Sequence, residues 1–594
     1  MRDWRRACCA CPTRYTGGEP MFLQRLAEYS DRIERPPSLY APMPIHWLIV
    51  IDENGKPLNM TSLIRDGDRK RGGEVRFAPS LGNLRTSGIA PLLLADNGGY
   101  VLGKVAKGKK DKRVQDCHKA FKELIRECAG ETQLPEVEAI RKFYDEHFSE
   151  LKIPDDFDPA DNITFRVNEC WVIDLPEVRE FWLKWAMCKY ELLGAARCCL
   201  VCGQTKPVLR RLPWAIKGVP RGQSSGTAGT ALISANSDAF SSYGLKETFV
   251  SPICFDCAER AVSALNALLQ DDRTHLIIGD VVYCFWTREP CEFDVVNLLS
   301  QPTLEMVQRL LESVRTGQPA AIEAQDFYAA ALSANNARVV VRSYWESTLP
   351  SIQRNLARWF EWQQLHRADG SDQPLTVSRL AASLYHKPNA IEPGVVETLV
   401  RCALTGAPLP EHLLFLAVKR NCAEQKVPYE RAKLIKAVLA SRTVSSASEG
   451  RTGIETEPKE VLTMLNRNLN DPAYKCGRLL AVIEAIQSRA IGNPSQTVTD
   501  RYYGSASSTP ASIFGTLLRL AQVHLNKLRK ENQAAFLERE LHDAMPDQFP
   551  ATLTLRQQGL FALGYFHQRA EMYKPRQRTE TQHQQLMMEE GTES

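Results

Sequence analysis

The sequence predicts a multidomain α+β protein: an α+β N-terminal region, a zinc-knuckle module with a Gly/Ser loop, then helical sequence ending in a C-terminal helical bundle. Three observations carry this reading. Short apolar runs separated by turn residues fill the first third, two Cys-x-x-Cys pairs follow, and helical periodicity dominates after about residue 350. At 594 residues the chain exceeds one ordinary core and fits three or four domains of about 150 residues. With 44 % hydrophobic and 24 % charged residues, it is not a fully disordered, collagen-like or coiled-coil chain.

Residues 1–20 carry arginines and three cysteines but no apolar stretch of the length a secretory signal needs, so they read as an extension or a mis-assigned start ahead of Met21. An α+β domain is expected over 21–190. In it, IHWLIVIDENGKPL is a buried strand reaching a turn at Asn54-Gly55, and PLLLADNGGYVLGK repeats the hairpin pattern at Asn97-Gly98-Gly99. Residues 104–126 hold nine Lys/Arg against three Asp/Glu and run into a helix ending near Cys128. A second helix covers about 135–150, and ITFRVNECWVID is a strand.

A cysteine-pair and Gly/Ser-loop module is placed at 191–300, with a helix at 256–270 and a buried strand HLIIGDVVYCFW. A hairpin turning at Asn335-Asn336 opens a hairpin-plus-helical domain over 301–440. There Ile352, Leu356, Trp359 and Phe360 form one apolar stripe at i, i+4, i+7 and i+8. Residues 441–460 have linker composition, 461–574 read as a bundle of three or four helices, and 575–594 as a disordered tail.

Net charge is near neutral, 74 Lys/Arg against 70 Asp/Glu, so any polyanion footprint is local. No apolar run approaches the roughly 20 residues of a membrane span. Together with the absence of an export signal, this predicts a soluble, cytoplasmic chain without a membrane partner. The 17 cysteines lack a regular framework, which favours reduced thiols and metal ligands over disulfides.

The sharpest chemical signal is Cys199-x-x-Cys202 with Cys254-x-x-Cys257. Two residues between thiolates let one tight turn present both to a tetrahedral zinc, and a closed four-cysteine site is structural because it leaves no open position. The gap of 51 residues between the pairs exceeds that of an ordinary zinc ribbon, and buried free thiols are the plain alternative.

Between the pairs, Lys206 to Arg221 holds five basic residues and no acid, followed by Gly/Ser-rich sequence. Glycines allow close backbone approach and anion-binding nests, and Lys217, Arg221, Gln223, Ser224, Ser225 and Asn236 supply donors for phosphates or base edges. Arg69, Lys70 and Arg71 in one basic loop, and Lys109 and Lys110 in another, are further candidate nucleic-acid contacts. A solvated surface is the bland reading of each. Gly222-Gln223-Ser224-Ser225-Gly226 matches the G-x-S-x-G nucleophile elbow, but Gly218 and Pro220 stand where the elbow needs a buried strand. No phosphate-loop or H-E-x-x-H motif occurs, so no enzyme is expected.

Four segments go further: PIHWLIVIDENGK, the loop from IKGVPRGQSSG to ALISANSDAFSSYG, DRYYGSASSTPASIF and QQGLFALGYFHQ. From Met21 to about Arg569 the chain resembles the large subunit of the type I-C CRISPR Cascade. That resemblance implies a non-catalytic subunit of an RNA-guided complex, in which guide RNA reads the target and the protein reads a short flanking PAM, usually 5′-TTC-like, on double-stranded DNA. It implies as partners a guide RNA, backbone subunits, separate small subunits and a helicase-nuclease recruited once the R-loop forms. The first cysteine pair departs from a CxxTG form common in the family. The C-terminal bundle resembles the small subunit, and an internal start at Met464 would yield residues 464–594. The competing readings are a zinc-stabilised scaffold without DNA contact and a serine hydrolase using Ser224.

Overall fold

The computed structural model describes residues 22–64, 72–85, 88–105, 111–220, 230–235, 238–241, 244–316, 325–335, 337–387, 390–448, 463–492 and 494–574. Within them the fold is α+β, with sheets in the first half and helices in the second. The strands, in chain order, are β1 (Tyr40–Ile45), β2 (Trp47–Ile51), β3 (Pro57–Ser62), β4 (Glu74–Pro79), β5 (Ala95–Asn97), β6 (Asn162–Val167), β7 (Cys170–Trp171), β8 (Leu193–Cys198), β9 (Thr205–Leu209), β10 (His275–Ile278), β11 (Val281–Thr287), β12 (Asp326–Asn335) and β13 (Arg338–Thr348). They form a five-stranded sheet (β3-β2-β6-β5 with β7 on β6), a four-stranded sheet β10-β11-β12-β13, and the pairs β1-β4 and β8-β9. By compactness the chain divides into two units.

The first takes its described residues from Met1–His275, Asp280–Cys284 and Ala330–Tyr344. At its centre β2 is apolar and buried at all five positions, as expected of a strand covered on both faces. It pairs antiparallel with β3 and parallel with β6. Asn54-Gly55 makes the expected turn: Gly55 sits at φ +88° and Asp52 Oδ1 accepts from the N–H groups of Asn54 and Lys56. The second expected hairpin does not form. Asn97 instead caps a helical turn, Gly98–Val101, its side chain accepting from Gly99 N at 3.0 Å. The helix Asp111–Thr132 lays Val114, Cys117, Phe121, Leu124, Ile125 and Cys128 along one buried face.

The stretch HLIIGDVVYCFW is two strands, β10 and β11, because Gly279 at φ +62° opens a tight turn within it. The Asn335-Asn336 signal falls where β12 ends and β13 follows as its neighbour in the sheet.

The second unit takes its described residues from Leu276–Gly279, Phe285–Ala329 and Trp345–Ser594. Its helix Leu349–Gln363 buries the whole predicted stripe, Ile352, Leu356, Trp359 and Phe360. The helix Tyr429–Ser448 takes up the first positions of the stretch read as a linker, and 449–460 lie outside the described residues. Ser and Thr extend a helix already nucleated at small cost each. Helices Pro472–Ile491, Val498–Ser508, Pro510–Lys530, Ala535–Asp543 and Leu555–Met572 follow. The first and last cross at two glycines. A Cβ at Gly477 would lie 2.0 Å from Phe561 O, and one at Gly564 2.1 Å from Tyr474 O. Beside the crossing, Arg478 donates to Gln568 Oε1 (2.9 Å) and to Asp543, while buried Glu540 accepts two hydrogen bonds from Arg467 (2.9 Å each) and one from Gln568 (2.8 Å).

Candidate metal centre and nucleic-acid interface

The first cysteine pair sits on the turn between β8 and β9. Cys198 pairs with Thr205 across the hairpin; beyond it Cys199 N donates to Gln204 O and Gly203 N to Cys199 O, both at 2.9 Å. Gly203 takes φ +69°, the left-handed conformation a knuckle of this tightness demands. The second pair is brought alongside by backbone bonds, Leu200 N to Pro252 O (3.0 Å) and Leu209 N to Ile253 O (2.9 Å). Cys254 is the N-cap of the helix Phe255–Leu268 and Cys257 lies in its first turn.

The four Sγ atoms of Cys199, Cys202, Cys254 and Cys257 lie within 4.8 Å of one another, and Cys202 Sγ is 3.9 Å from Cys254 Sγ. A tetrahedral thiolate site with metal–sulfur bonds of about 2.3 Å sets its sulfurs about 3.8 Å apart, so the cluster matches a metal's dimensions. Cys199, Cys254 and Cys257 are buried and Cys202 is exposed. The Cys199 thiol is drawn down to about 4, chiefly by the hydrogen bond from Cys257, aided by backbone N–H groups of Cys202, Cys254 and Val201 and opposed by burial. The same bond, with burial, holds the Cys257 thiol far above the ordinary range, and burial raises Cys254. Backbone N–H groups aimed at sulfur suit a bound thiolate, and a metal would displace the protons that the other thiols retain.

From β9 the chain runs on to the root of the basic loop. Ile216 and Thr230 close that root with two backbone hydrogen bonds, 2.7 and 2.9 Å, and the Thr230 hydroxyl adds a third to Ile216 O at 3.2 Å. Ala231 then bonds Ala337 and Val339 at the start of β13. Lys217, the first residue past the closure, is exposed. One neighbouring loop packs just ahead of this root, and a second contact joins two segments elsewhere. A Cβ at Gly82 would lie 2.2 Å from Pro213 O, and Arg113 Nη2, beyond the stretch holding Lys109 and Lys110, donates to Gly88 O at 3.3 Å.

Of the sequence-predicted contacts, only Lys217 is among the described residues. Arg69, Lys70, Arg71, Lys109, Lys110, Arg221, Gln223, Ser224, Ser225 and Asn236 lie outside them. Lys217–Pro220, ahead of Ser224, form no strand. Asn266 escaped sequence reasoning. Its amide accepts from Lys217 N and donates to Ala215 O, both at 2.9 Å, but in sequence it is one polar residue on an amphipathic helix. Among the described residues no helix is long and apolar enough to cross a membrane.

Fold and site together define a multidomain α+β protein with a four-thiolate cluster in its first unit. The family model of the CRISPR-associated protein Cas_Csd1 matches residues 23–573, through both units and the cysteine site. The chain belongs to that family of Cascade subunits, which implies assembly with other Cas subunits and a guide RNA. No curated protein matches it.

Proposed function

We propose that this chain is the non-catalytic large subunit of a type I-C Cascade, reading the PAM on double-stranded DNA, promoting local unwinding and supporting recruitment of a separate helicase-nuclease. The observation that carries it is the family match from residue 23 to 573, beside the type I-C resemblance of the four sequence segments. Guide pairing supplies target specificity, which leaves the protein a short duplex to read and a backbone to hold. Lys217 at a hydrogen-bonded loop root suits phosphate contact, and amide donors farther along the loop suit the base edges of a groove. Zinc is the metal a closed four-thiolate set selects, and Cys199, Cys202, Cys254 and Cys257 would hold it as a structural clamp joining β8-β9 to the helix Phe255–Leu268.

Purification of the tagged chain from its host, with sequencing of bound RNA and identification of bound proteins, tests the assignment. Repeat-derived guides and a multisubunit backbone are expected, together with one zinc per chain; a lone protein without RNA refutes it. Lys217→Ala with Arg221→Ala should weaken duplex binding and flatten its salt slope by up to about two.

A further inference from the structure

We infer that Asn266 is a positioning residue for DNA binding: its side-chain amide sets the backbone from which Lys217 projects. This rests on reading Lys217 as a phosphate contact. In an extended segment, residues alternate in the edge toward which their N–H and C=O point. Ile216 turns both groups to Thr230, so Ala215 C=O and Lys217 N–H face the opposite edge. There the Asn266 amide presents one acceptor and one donor, each 2.9 Å from its partner, as a neighbouring strand's peptide groups would. The loop root is thus bonded on both edges: Thr230 on one, a helix side chain on the other.

The helix that carries Asn266 is itself fixed. Cys254 caps it and Cys257 lies in its first turn. Asn266 lies nine positions past Cys257, about 13.5 Å along the axis. Between them Arg260 donates to Ser30 Oγ (3.0 Å) and to Asp31 Oδ2 (2.5 Å), and Glu259 accepts from Ser38 Oγ (2.8 Å). Past Asn266, Leu269 lies 3.5 Å from where a Cβ on Gly218 would stand, so the same helix backs the residue after Lys217. A primary amide is the smallest neutral side chain offering donor and acceptor side by side. Alanine at 266 leaves Ala215 C=O and Lys217 N–H to water and frees the start of the loop.

The test is a double-mutant cycle on the full-length chain, measuring affinity for a labelled linear duplex across a salt series, with metal content and thermal midpoint followed in parallel. Lys217→Ala and Asn266→Ala should each reduce the salt slope by about one and the pair by no more than either alone, because both remove the same phosphate contact. Asn266→Gln, which keeps donor and acceptor, should recover part of the loss while metal content and midpoint stay at wild-type values. A wild-type slope for Asn266→Ala, or a double variant that loses about two, overturns the inference and leaves the Lys217 reading standing. An unchanged slope for Lys217→Ala overturns the phosphate reading and this inference with it. Should Asn266→Ala fail to fold, Asn266→Leu, close in shape and without donor or acceptor, takes its place in the cycle and is read the same way.

Discussion

Gly564→Ala should destabilise the second unit, against the direction helix propensity alone dictates. At an exposed helical position, replacing glycine by alanine gains roughly 1 kcal/mol. At 564 the new methyl would stand 2.1 Å from Tyr474 O, whereas an ordinary contact begins at 3.4 Å, so the two helices must part by about 1.3 Å. Neither partner is a side-chain end that can swing aside: the obstacle is a carbonyl of the facing helix backbone. A gap of 0.5–1 Å already forfeits roughly a quarter to a half of each dispersion contact, and overpacking a tight core costs about 1–3 kcal/mol or more. The crossing also holds buried Cys476, Leu480, Phe561 and Tyr565, whose packing would loosen with it. After the propensity gain is subtracted, a net loss of about 2 kcal/mol is expected. Urea unfolding of the full-length chain, followed by circular dichroism, measures it. Gly515→Ala is the control: the glycine lies inside the helix Pro510–Lys530 with open space around its Cβ position, and should gain about 0.5–1 kcal/mol. A Gly564→Ala chain as stable as wild type refutes the close-approach account.

Two further variants probe buried charge. Glu540→Ala takes a carboxylate from Arg467, which is part-exposed and keeps Asp543, and leaves the buried Gln568 amide short of an acceptor, and should cost about 1–3 kcal/mol in the same unfolding assay. Lys436 is buried beside Asp372, Lys433 and the Glu361 carboxylate, and burial draws its ammonium down to about 8 from 10.5. The unfolded chain therefore holds more protons between pH 8 and 10.5, and wild-type stability gains from this group as pH rises through that window. Lys436→Met removes a charging penalty of about 3 kcal/mol and one hydrogen bond, to Glu361 O at 2.8 Å, worth about 1–2. The variant should be more stable than wild type at pH 7 and lose that advantage by pH 10; an advantage that does not shrink with pH would contradict the assignment.

Features whose cause is local were legible in the sequence. Asn54-Gly55 turns the chain with Asp52 bracing it, the stripe from Ile352 to Phe360 is buried, and each Cys-x-x-Cys pair sits on its own short turn, so spacing alone marks it. Features that need a distant partner were not. The helix Val498–Ser508 contains Gly504, Ser505, Ser507 and Ser508, poor formers that hide its Thr497–Asp500 capping box; Gln425 accepts from Gly504 N at 3.1 Å and buried Tyr503 packs against Phe561 and Tyr565. Gly477 and Gly564 read as weak points in helical patterns until the facing carbonyls are in view. Asn266 could be assigned only once Ala215 and Lys217 lay beside it.

The parallel partnership of β2 and β6 bears on how the chain is made. His46 and Asn162, hydrogen-bonded where the two strands begin, are 116 residues apart in sequence. Closing a loop of that length costs about 4 kcal/mol of chain entropy, roughly twice the figure for the β2-β3 hairpin. At about 5–20 residues per second, a ribosome needs roughly 6–23 s to deliver β6 after β2. For that interval Trp-Leu-Ile-Val-Ile has a partner on one edge alone, and an apolar strand with an open edge is a template for association between chains. Nascent chains stalled before β6 has cleared the ribosome should therefore depend on chaperone cover in a way that chains stalled after its emergence do not.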